Sequence, residues 1–279
     1  YDFRSSFEMY ETLSGGSNSD RYYYTLPSYD YSKIFNLENF NGTFDFNSSG
    51  SNNLSNTNVT LTSIDNNLNF ATYDSFTLNG IKTNFAMSLN NTNLMGKNNV
   101  SYKNSPQSEL TSHYTYNVSL PLSKNTENRI NRLTPKLSLR VRPHAMKDNK
   151  DGNSTINTDT IFSSSRVGPE EGESLTLGVN FIKQKINTEP SEGEELNEIV
   201  EYFDFKLATV FRLKDENNIP SASTLNKKRS NIFGKAQFNP NKNTVLDYAF
   251  SLTNRLDRFE SNSIGVGFDF DNFSTRFDF

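Results

Sequence analysis

Apolar residues recur at every second position over long stretches of this 279-residue chain, with polar residues between them. From Leu110 to Leu122, for example, the even positions are mostly aliphatic or aromatic, and the odd positions from Thr111 to Ser119 are polar. Successive side chains of a β-strand point to opposite faces, so this spacing gives each strand one apolar face and one polar face. The pattern typical of one face of a helix, in which apolar residues recur three and four positions apart in turn, is almost absent. The sequence therefore predicts an all-β fold of antiparallel strands.

About twelve segments show this alternation and are interpreted as strands. Segments rich in Asn, Ser, Gly and charged residues separate them and are predicted to be loops. The predicted loops are residues 47–58, 90–105, 147–158, 168–173, 187–198 and 214–228. Several of them exceed the length of a tight hairpin, which suggests short turns at one end of the sheet and long loops at the other.

The composition excludes several classes of protein. No run approaches the roughly 20 apolar residues that a membrane helix requires. The chain has no Cys, which excludes disulfide scaffolds, Cys-ligated zinc and thiol catalysis within it. Asn and Ser together make up about a quarter of the residues, and the mean hydropathy is -0.70. So polar a chain fits a single soluble core poorly.

An antiparallel sheet with an aromatic and aliphatic face needs a cover for that face. A second sheet or a membrane would provide one. In a membrane the strands must close into a barrel, with about 9–11 residues per strand alternating apolar outward and polar inward. Because a hydrated interior and long polar loops also explain the low hydropathy, we favour a transmembrane β-barrel. A surface adhesin built as a β-sandwich is the less favoured alternative.

Several segments then resemble a known family. They are LTPKLSLRVRPHAMKD from Leu133, IFSSSRVG from Ile161, EEGESLTLGVNF from Glu170, the stretch from Phe203 to Gly234, and YYYTLPSYDY from Tyr22. They resemble the barrel of the lipopolysaccharide-assembly family LptD, most closely its alphaproteobacterial members. The resemblance implies a bacterial outer-membrane barrel of roughly twenty-six strands. Residues 1–279 would be a partial barrel domain, with the family's N-terminal jellyroll and its gate strands outside this chain.

The resemblance also implies a function and partners. Family members insert lipopolysaccharide into the outer leaflet through a barrel that opens laterally. They hold the lipoprotein LptE as a plug, receive cargo from periplasmic Lpt bridge proteins through the N-terminal domain, and contact outer-membrane lipids. The alternative that the alternation leaves open is a passive porin or a receptor-type barrel for small solutes.

The polar faces of two predicted strands are basic, and they supply the candidate site. Its residues are Lys136, Arg140, Arg142, Lys206 and Arg212. As lumen-facing cations they are candidates for contact with phosphates or acidic sugars of the glycolipid, or with carboxylates of the plug. The alternative is that they only solvate the lumen and pair with neighbours such as Asp204.

The sequence does not support catalysis. His113 and His144 are the only histidines, and no nucleophile elbow, Walker A loop or HExxH motif accompanies them. We predict no catalytic residues, cofactor or metal site. Two acidic runs, Glu170, Glu171, Glu173 and Glu192, Glu194, Glu195, Glu198, are expected to be solvated loops rather than cation sites. The pI near 5.4 and the dispersed basic residues argue against a nucleic-acid partner.

Overall fold

The computed structural model describes residues 1–13, 21–37, 41–55, 58–145, 156–163, 170–186, 198–220, 224–270 and 272–279. In these ranges the chain forms fifteen β-strands, paired antiparallel, which confirms the predicted all-β fold. They are β1 (Asp2–Glu11), β2 (Tyr22–Leu37), β3 (Gly42–Ser55), β4 (Val59–Thr72), β5 (Ser75–Phe76), β6 (Lys82–Lys97), β7 (Gln107–Ser119), β8 (Leu122–Thr126), β9 (Arg129–Arg142), β10 (Gly172–Ile186), β11 (Ile199–Arg212), β12 (Ile232–Asn241), β13 (Thr244–Leu252), β14 (Phe259–Phe270) and β15 (Phe273–Asp278). None of the described residues belongs to a helix that is long and apolar enough to cross a membrane.

The strands follow one another in the sheet in chain order, except that β5 pairs only with β6 and β8 only with β9. The chain divides into two compact units. The N-terminal unit contains residues 1–73 and 85–114, and the C-terminal unit contains residues 74–84 and 115–279.

The C-terminal unit has an apolar face that is exposed. Leu139, Leu175 and Phe211 lie side by side on β9, β10 and β11, and Leu139 is 42% exposed. On the opposite, polar face, Ser138 and Thr176 are completely buried. A water-soluble sheet buries its apolar side chains, so this reversed distribution agrees with an apolar face turned to lipid. Other exposed residues of the apolar face are Leu133, Leu177, Phe238, Leu246, Ile264, Phe270, Phe273 and Phe277.

A small apolar core nevertheless lies on the polar face of this unit. Ala208 and Val210 of β11 and Phe233 of β12 form its floor. Two connections cover that floor, residues 156–163 before β10 and the segment between β11 and β12. Their buried side chains are Ile156, Ile161, Ile219 and Leu225, with Phe162 packed against them. Both connections therefore fold back onto the polar face and shield part of it from water.

In the N-terminal unit, a row of hydrogen-bonded polar side chains interrupts the apolar residues on one face of the sheet. This row is here called the polar ladder. It joins five strands in the order Tyr29 (β2), Ser48 (β3), Asn66 (β4), Asn91 (β6) and Ser108 (β7). The successive side-chain distances are 3.2, 2.7, 3.3 and 3.2 Å. The pairs Phe44–Phe70 and Phe46–Leu68 lie beside the ladder toward one end of the same face. This face therefore changes from apolar to polar along the strands.

Two of the predicted loops are wrong. Residues 47–55 belong to β3 and residues 90–97 belong to β6, so the strands continue through both Asn-rich segments. The reason is that Asn and Ser side chains satisfy one another across neighbouring strands, as in Ser51–Ser63 and Ser48–Asn66. Pairing with neighbours overrides the local turn preference of these residues.

The other predicted loops give mixed outcomes. The described part of residues 214–228 contains no strand, as predicted, whereas β10 already begins at Gly172. Most of residues 147–158 and 187–198 lies outside the described residues. The single strand predicted from Leu110 to Leu122 is instead broken into β7 and β8 at Leu120 and Pro121. Proline has no N–H to donate to a neighbouring strand, so an interruption at this position is expected.

Candidate functional site

The five cations predicted from the sequence all lie on the polar face of the C-terminal unit. They are Lys136, Arg140 and Arg142 on β9 and Lys206 and Arg212 on β11. The register places Arg140 and Arg212 on opposite sides of Ser174 in β10. Two guanidinium groups from strands that are not neighbours in the chain therefore meet above one position of the sheet.

The two arginines share one carboxylate. Glu170 lies 2.5 Å from Nη2 of Arg212 and 3.9 Å from Nη1 of Arg140. The side chains of Arg140, Glu170 and Arg212 are only 5%, 7% and 2% exposed. Burying charge is costly unless it is paired, and a carboxylate between two guanidinium groups provides that pairing. The expectation that Glu170 lies in a solvated loop is therefore wrong, because the fold buries it as a counter-ion.

The same arginines hold the two folded-back connections. Arg140 donates to the carbonyl oxygens of Phe162, at 2.9 Å, and of Ser163. Arg212 donates to the carbonyl oxygens of Leu225 and Glu171, both at 3.0 Å. Arginine has five donors in a rigid fork, so it can pair with a carboxylate and still bond backbone carbonyls. The cluster thus fixes residues 156–163 and the β11–β12 connection against the sheet.

A second cluster of charged side chains lies around Asp159, which belongs to the connection formed by residues 156–163. Its carboxylate accepts bonds from Lys206, at 2.8 Å, and from Lys235 of β12, at 3.0 Å. Lys206 is also 3.4 Å from Asp204, the pairing expected from the sequence. The hydrogen bond from Lys206 and then that from Lys235 hold the pKa of Asp159 below its ordinary value, although partial burial opposes this.

Lys235 was missed by the sequence analysis, although its position carried the same signal. It lies between Gly234 and Ala236 on a strand whose alternation is weak, and the register pairs it directly with Lys206. A search for cations on the polar face of every predicted strand, and not only of the most basic strands, would have included Lys235.

The remaining two predicted cations have different surroundings. The Nζ atom of Lys136 lies 5.9 Å from the ring centre of Phe162, over its face. Arg142 is buried and lines a pocket of about 240 Å³ together with Arg212, Lys214 and Glu216. All five cations therefore border the folded-back connections or the pocket next to them, and their contact with a glycolipid or a plug stays a prediction.

The guanidinium and ammonium groups of this site can bind anions, and they also hold the two folded-back connections against the sheet. In the part of the chain that the structure describes, no group of three or more His, Asp or Glu side chains is arranged to hold a metal ion. Of the second acidic run, only Glu198 belongs to the described residues, and it lies 3.8 Å from Lys242.

Comparison with known proteins gives the family. No curated protein matches the chain. The sequence model of the family LptD, described as LPS transport system D, matches residues 1–277, nearly the whole chain. This family consists of outer-membrane β-barrel proteins of lipopolysaccharide transport, and the antiparallel sheet with its exposed apolar face agrees with that architecture. The chain therefore belongs to the LptD family of the lipopolysaccharide transport system.

Proposed function

We propose that this chain forms part of the wall of a barrel that inserts lipopolysaccharide into the outer leaflet through a lateral opening. The observation that supports this most is the distribution of side chains over the two faces of the C-terminal unit. Leu139 and Phe211 are exposed on one face while Arg140 and Arg212 are buried on the other. Such a wall suits a cargo with hydrocarbon chains that remain in the membrane and a charged polar head that passes inside.

In this proposal the cations of the polar face guide the head group. Lysine and arginine bind phosphate strongly, and a guanidinium group binds it with two parallel hydrogen bonds. Because Asp159 already pairs with Lys206 and Lys235, a passing phosphate exchanges with its carboxylate rather than entering an empty site. Exchange between partners of similar strength favours passage over tight binding, as a transport path requires. No covalent chemistry is involved.

The proposed partners are those of the family. The lipoprotein LptE would lie against the polar face as a plug, and the periplasmic Lpt bridge proteins would deliver the lipid through an N-terminal jellyroll domain. Residues 156–163 cover part of the polar face, so a plug would contact this connection as well as the strands. That residues 1–279 lack the jellyroll and the gate strands, and that the chain is of the alphaproteobacterial type, stay predictions.

The test is depletion of the full-length protein in its own bacterium, followed by measurement of lipopolysaccharide at the surface and inside the cell. We expect surface lipopolysaccharide to fall and internal lipopolysaccharide to accumulate. Normal surface lipopolysaccharide with reduced uptake of a small solute would instead support the porin or receptor alternative.

A photo-crosslinking experiment tests the path itself. A photoreactive residue at Lys136, on the polar face, should crosslink to lipopolysaccharide only while upstream transport is active. The matched control is Leu139, three positions away on the apolar face, where any crosslink should not depend on transport. Crosslinks that are independent of transport at both positions would contradict a path along the polar face.

A further inference from the structure

The apolar face of the C-terminal unit contains a groove of about 510 Å³ where β9 begins. Its apolar lining consists of Leu122, Leu133, Phe181 and Tyr202. Leu122 and Phe181 both pair with Leu133, one from each side, so the three form a continuous floor across β8, β9 and β10. The register of β10 and β11 shifts next to Tyr202, which leaves this residue unpaired beside Phe203. The aromatic wall of the groove thus results from a β-bulge.

Three cations border this apolar floor, and they are Lys124, Arg129 and Lys183. Lys183 extends over two rings, with Nζ 5.5 Å from the centre of Phe181 and 5.7 Å from that of Phe203. Among the described residues, no carboxylate lies within ion-pair distance of any of the three. A groove with an apolar floor and a formal charge of +3 at its rim is complementary to a molecule with an apolar body and an anionic head.

The lengths of the connections indicate which end of the strands this is. At the groove's end, β8–β9, β12–β13 and β14–β15 are joined by two residues each. At the opposite end, β9–β10 and β11–β12 are joined by 29 and 19 residues, 143–171 and 213–231. Outer-membrane barrels have short periplasmic turns and longer extracellular loops. The longer connections at the groove's end are residues 73–81 and 187–198, of nine and twelve residues. The groove therefore lies at the level of the periplasmic leaflet.

We propose that this groove binds an anionic glycerophospholipid of the periplasmic leaflet. Its acyl chain lies on Leu133 and Phe181, and its phosphate is held by Lys124, Arg129 and Lys183. Tyr202 lies at the boundary between the two parts of the lipid, where aromatic side chains are favoured. The inference rests on the membrane-barrel part of the proposed function, and it is independent of the lateral opening and of the cargo.

The test is native mass spectrometry of the full-length protein with its bound partners, released from a detergent that contains equal amounts of phosphatidylglycerol and phosphatidylcholine with identical acyl chains. We expect selective retention of phosphatidylglycerol. The triple variant Lys124→Gln, Arg129→Gln and Lys183→Gln should reduce this selectivity at least about tenfold, since each cation near a lipid surface contributes a several-fold preference.

The matched control removes the same charge elsewhere. Lys97, Lys103 and Lys228 are exposed and do not line the groove, so their replacement by Gln should leave the selectivity unchanged. Equal selectivity in the triple variant and in the wild type overturns the proposal. Displacement of the lipid by glycerol 3-phosphate at an equal concentration also overturns it, because the ligand would then be a free phosphate.

Two further readouts keep the test decisive. The single variant Lys183→Gln should give an intermediate selectivity, so a folding defect of the triple variant does not end the experiment. Heat-modifiable migration on gels reports whether each variant is folded. Selective retention of phosphatidylglycerol together with normal surface lipopolysaccharide after depletion would support the groove while rejecting the export function.

Discussion

Asp247 on β13 and Arg276 on β15 form an ion pair, with 2.8 Å between Oδ1 and Nη2, although β14 lies between their strands. The residue of β14 that separates them is Gly265, which pairs with Asp247 on one side and Asp278 on the other. A Cβ atom at Gly265 would lie 2.7 Å from both carboxylate oxygens of Asp247 and still closer to the guanidinium group. The ion pair thus passes over a position that has no Cβ atom, and a side chain there would push the carboxylate and the guanidinium group out of their present positions.

The first prediction follows from this geometry. Gly265→Ala should separate the pair and lower the temperature at which the folded, heat-modifiable form of the full-length protein is lost. Arg276→Gln should lower this temperature in the wild type and should have a smaller effect in Gly265→Ala, where only the pair of Arg276 with Asp278, at 2.8 Å, remains to be lost. The double-mutant cycle measures this coupling directly.

Gly267 provides the control for that cycle. It lies two residues further along β14, and an added Cβ there would meet only Val245 at ordinary contact distances of 3.8 and 3.9 Å. Gly267→Ala should therefore leave the effect of Arg276→Gln intact. Additive effects of Gly265→Ala and Arg276→Gln would contradict the prediction.

The second prediction concerns the carboxylate shared by Arg140 and Arg212. Glu170→Gln should destabilise the full-length protein by about 3 kcal/mol, because removal of one partner leaves buried charge without compensation. Urea unfolding in detergent measures the change in the free energy of unfolding. The control is Glu173→Gln, which removes the same charge three residues away at an exposed position. If both variants lost equal stability, the buried cluster would not be the cause.

The sequence was sufficient to predict the two faces of the strands. The alternation that separates Leu139 from Arg140 follows from backbone geometry alone, and the structure places every predicted cation on the polar face. The sequence was insufficient to predict the lengths of the strands. Asn and Ser in β3 and β6 have turn-forming preferences, and only pairing with neighbouring strands overrides them.

The partners of the cations could not be predicted for a different reason. Glu170 lies 30 residues from Arg140 and 42 from Arg212, and Asp159 lies 47 from Lys206. Which carboxylate meets which cation depends on how residues 156–163 fold back onto the sheet. That path depends on the burial of Ile156 and Ile161, which lie in a segment without period-two alternation.

The third prediction is a pH dependence of the folded-back connection. Asp159 has a lowered pKa, so its pairs with Lys206 and Lys235 are complete above its ordinary pKa and are lost as the pH falls through the lowered value. Below about pH 4 the connection should therefore loosen. The amide of Ile161, which donates to the carbonyl oxygen of Asn157 at 3.0 Å, is the reporter, and its hydrogen exchange should accelerate on acidification.

Two variants test the assignment to Asp159. Asp159→Asn should give faster exchange at neutral pH and no further acceleration in this window. Asp257→Asn removes another carboxylate whose pKa is lowered, by a hydrogen bond from Thr253. Within the described residues, its turn makes no hydrogen bond or ion pair to residues 156–163. Asp257→Asn should leave the pH dependence at Ile161 unchanged. An unchanged pH dependence in Asp159→Asn would show that another group controls the connection.

The fourth prediction concerns the polar ladder of the N-terminal unit. Asn66 accepts a hydrogen bond from Ser48 and donates one to Asn91, so Asn66→Leu removes two bonds from the middle of the ladder. We expect a loss of about 2 kcal/mol in urea unfolding, at about 1 kcal/mol per hydrogen bond. The control is Thr60→Leu, on the same strand and face, whose hydroxyl makes no hydrogen bond within the described residues. If instead hydrocarbon covered this row, Leu would be favoured at both positions, and Asn66→Leu would stabilise the protein. The sign of the change therefore distinguishes a hydrated polar row from a lipid-covered one.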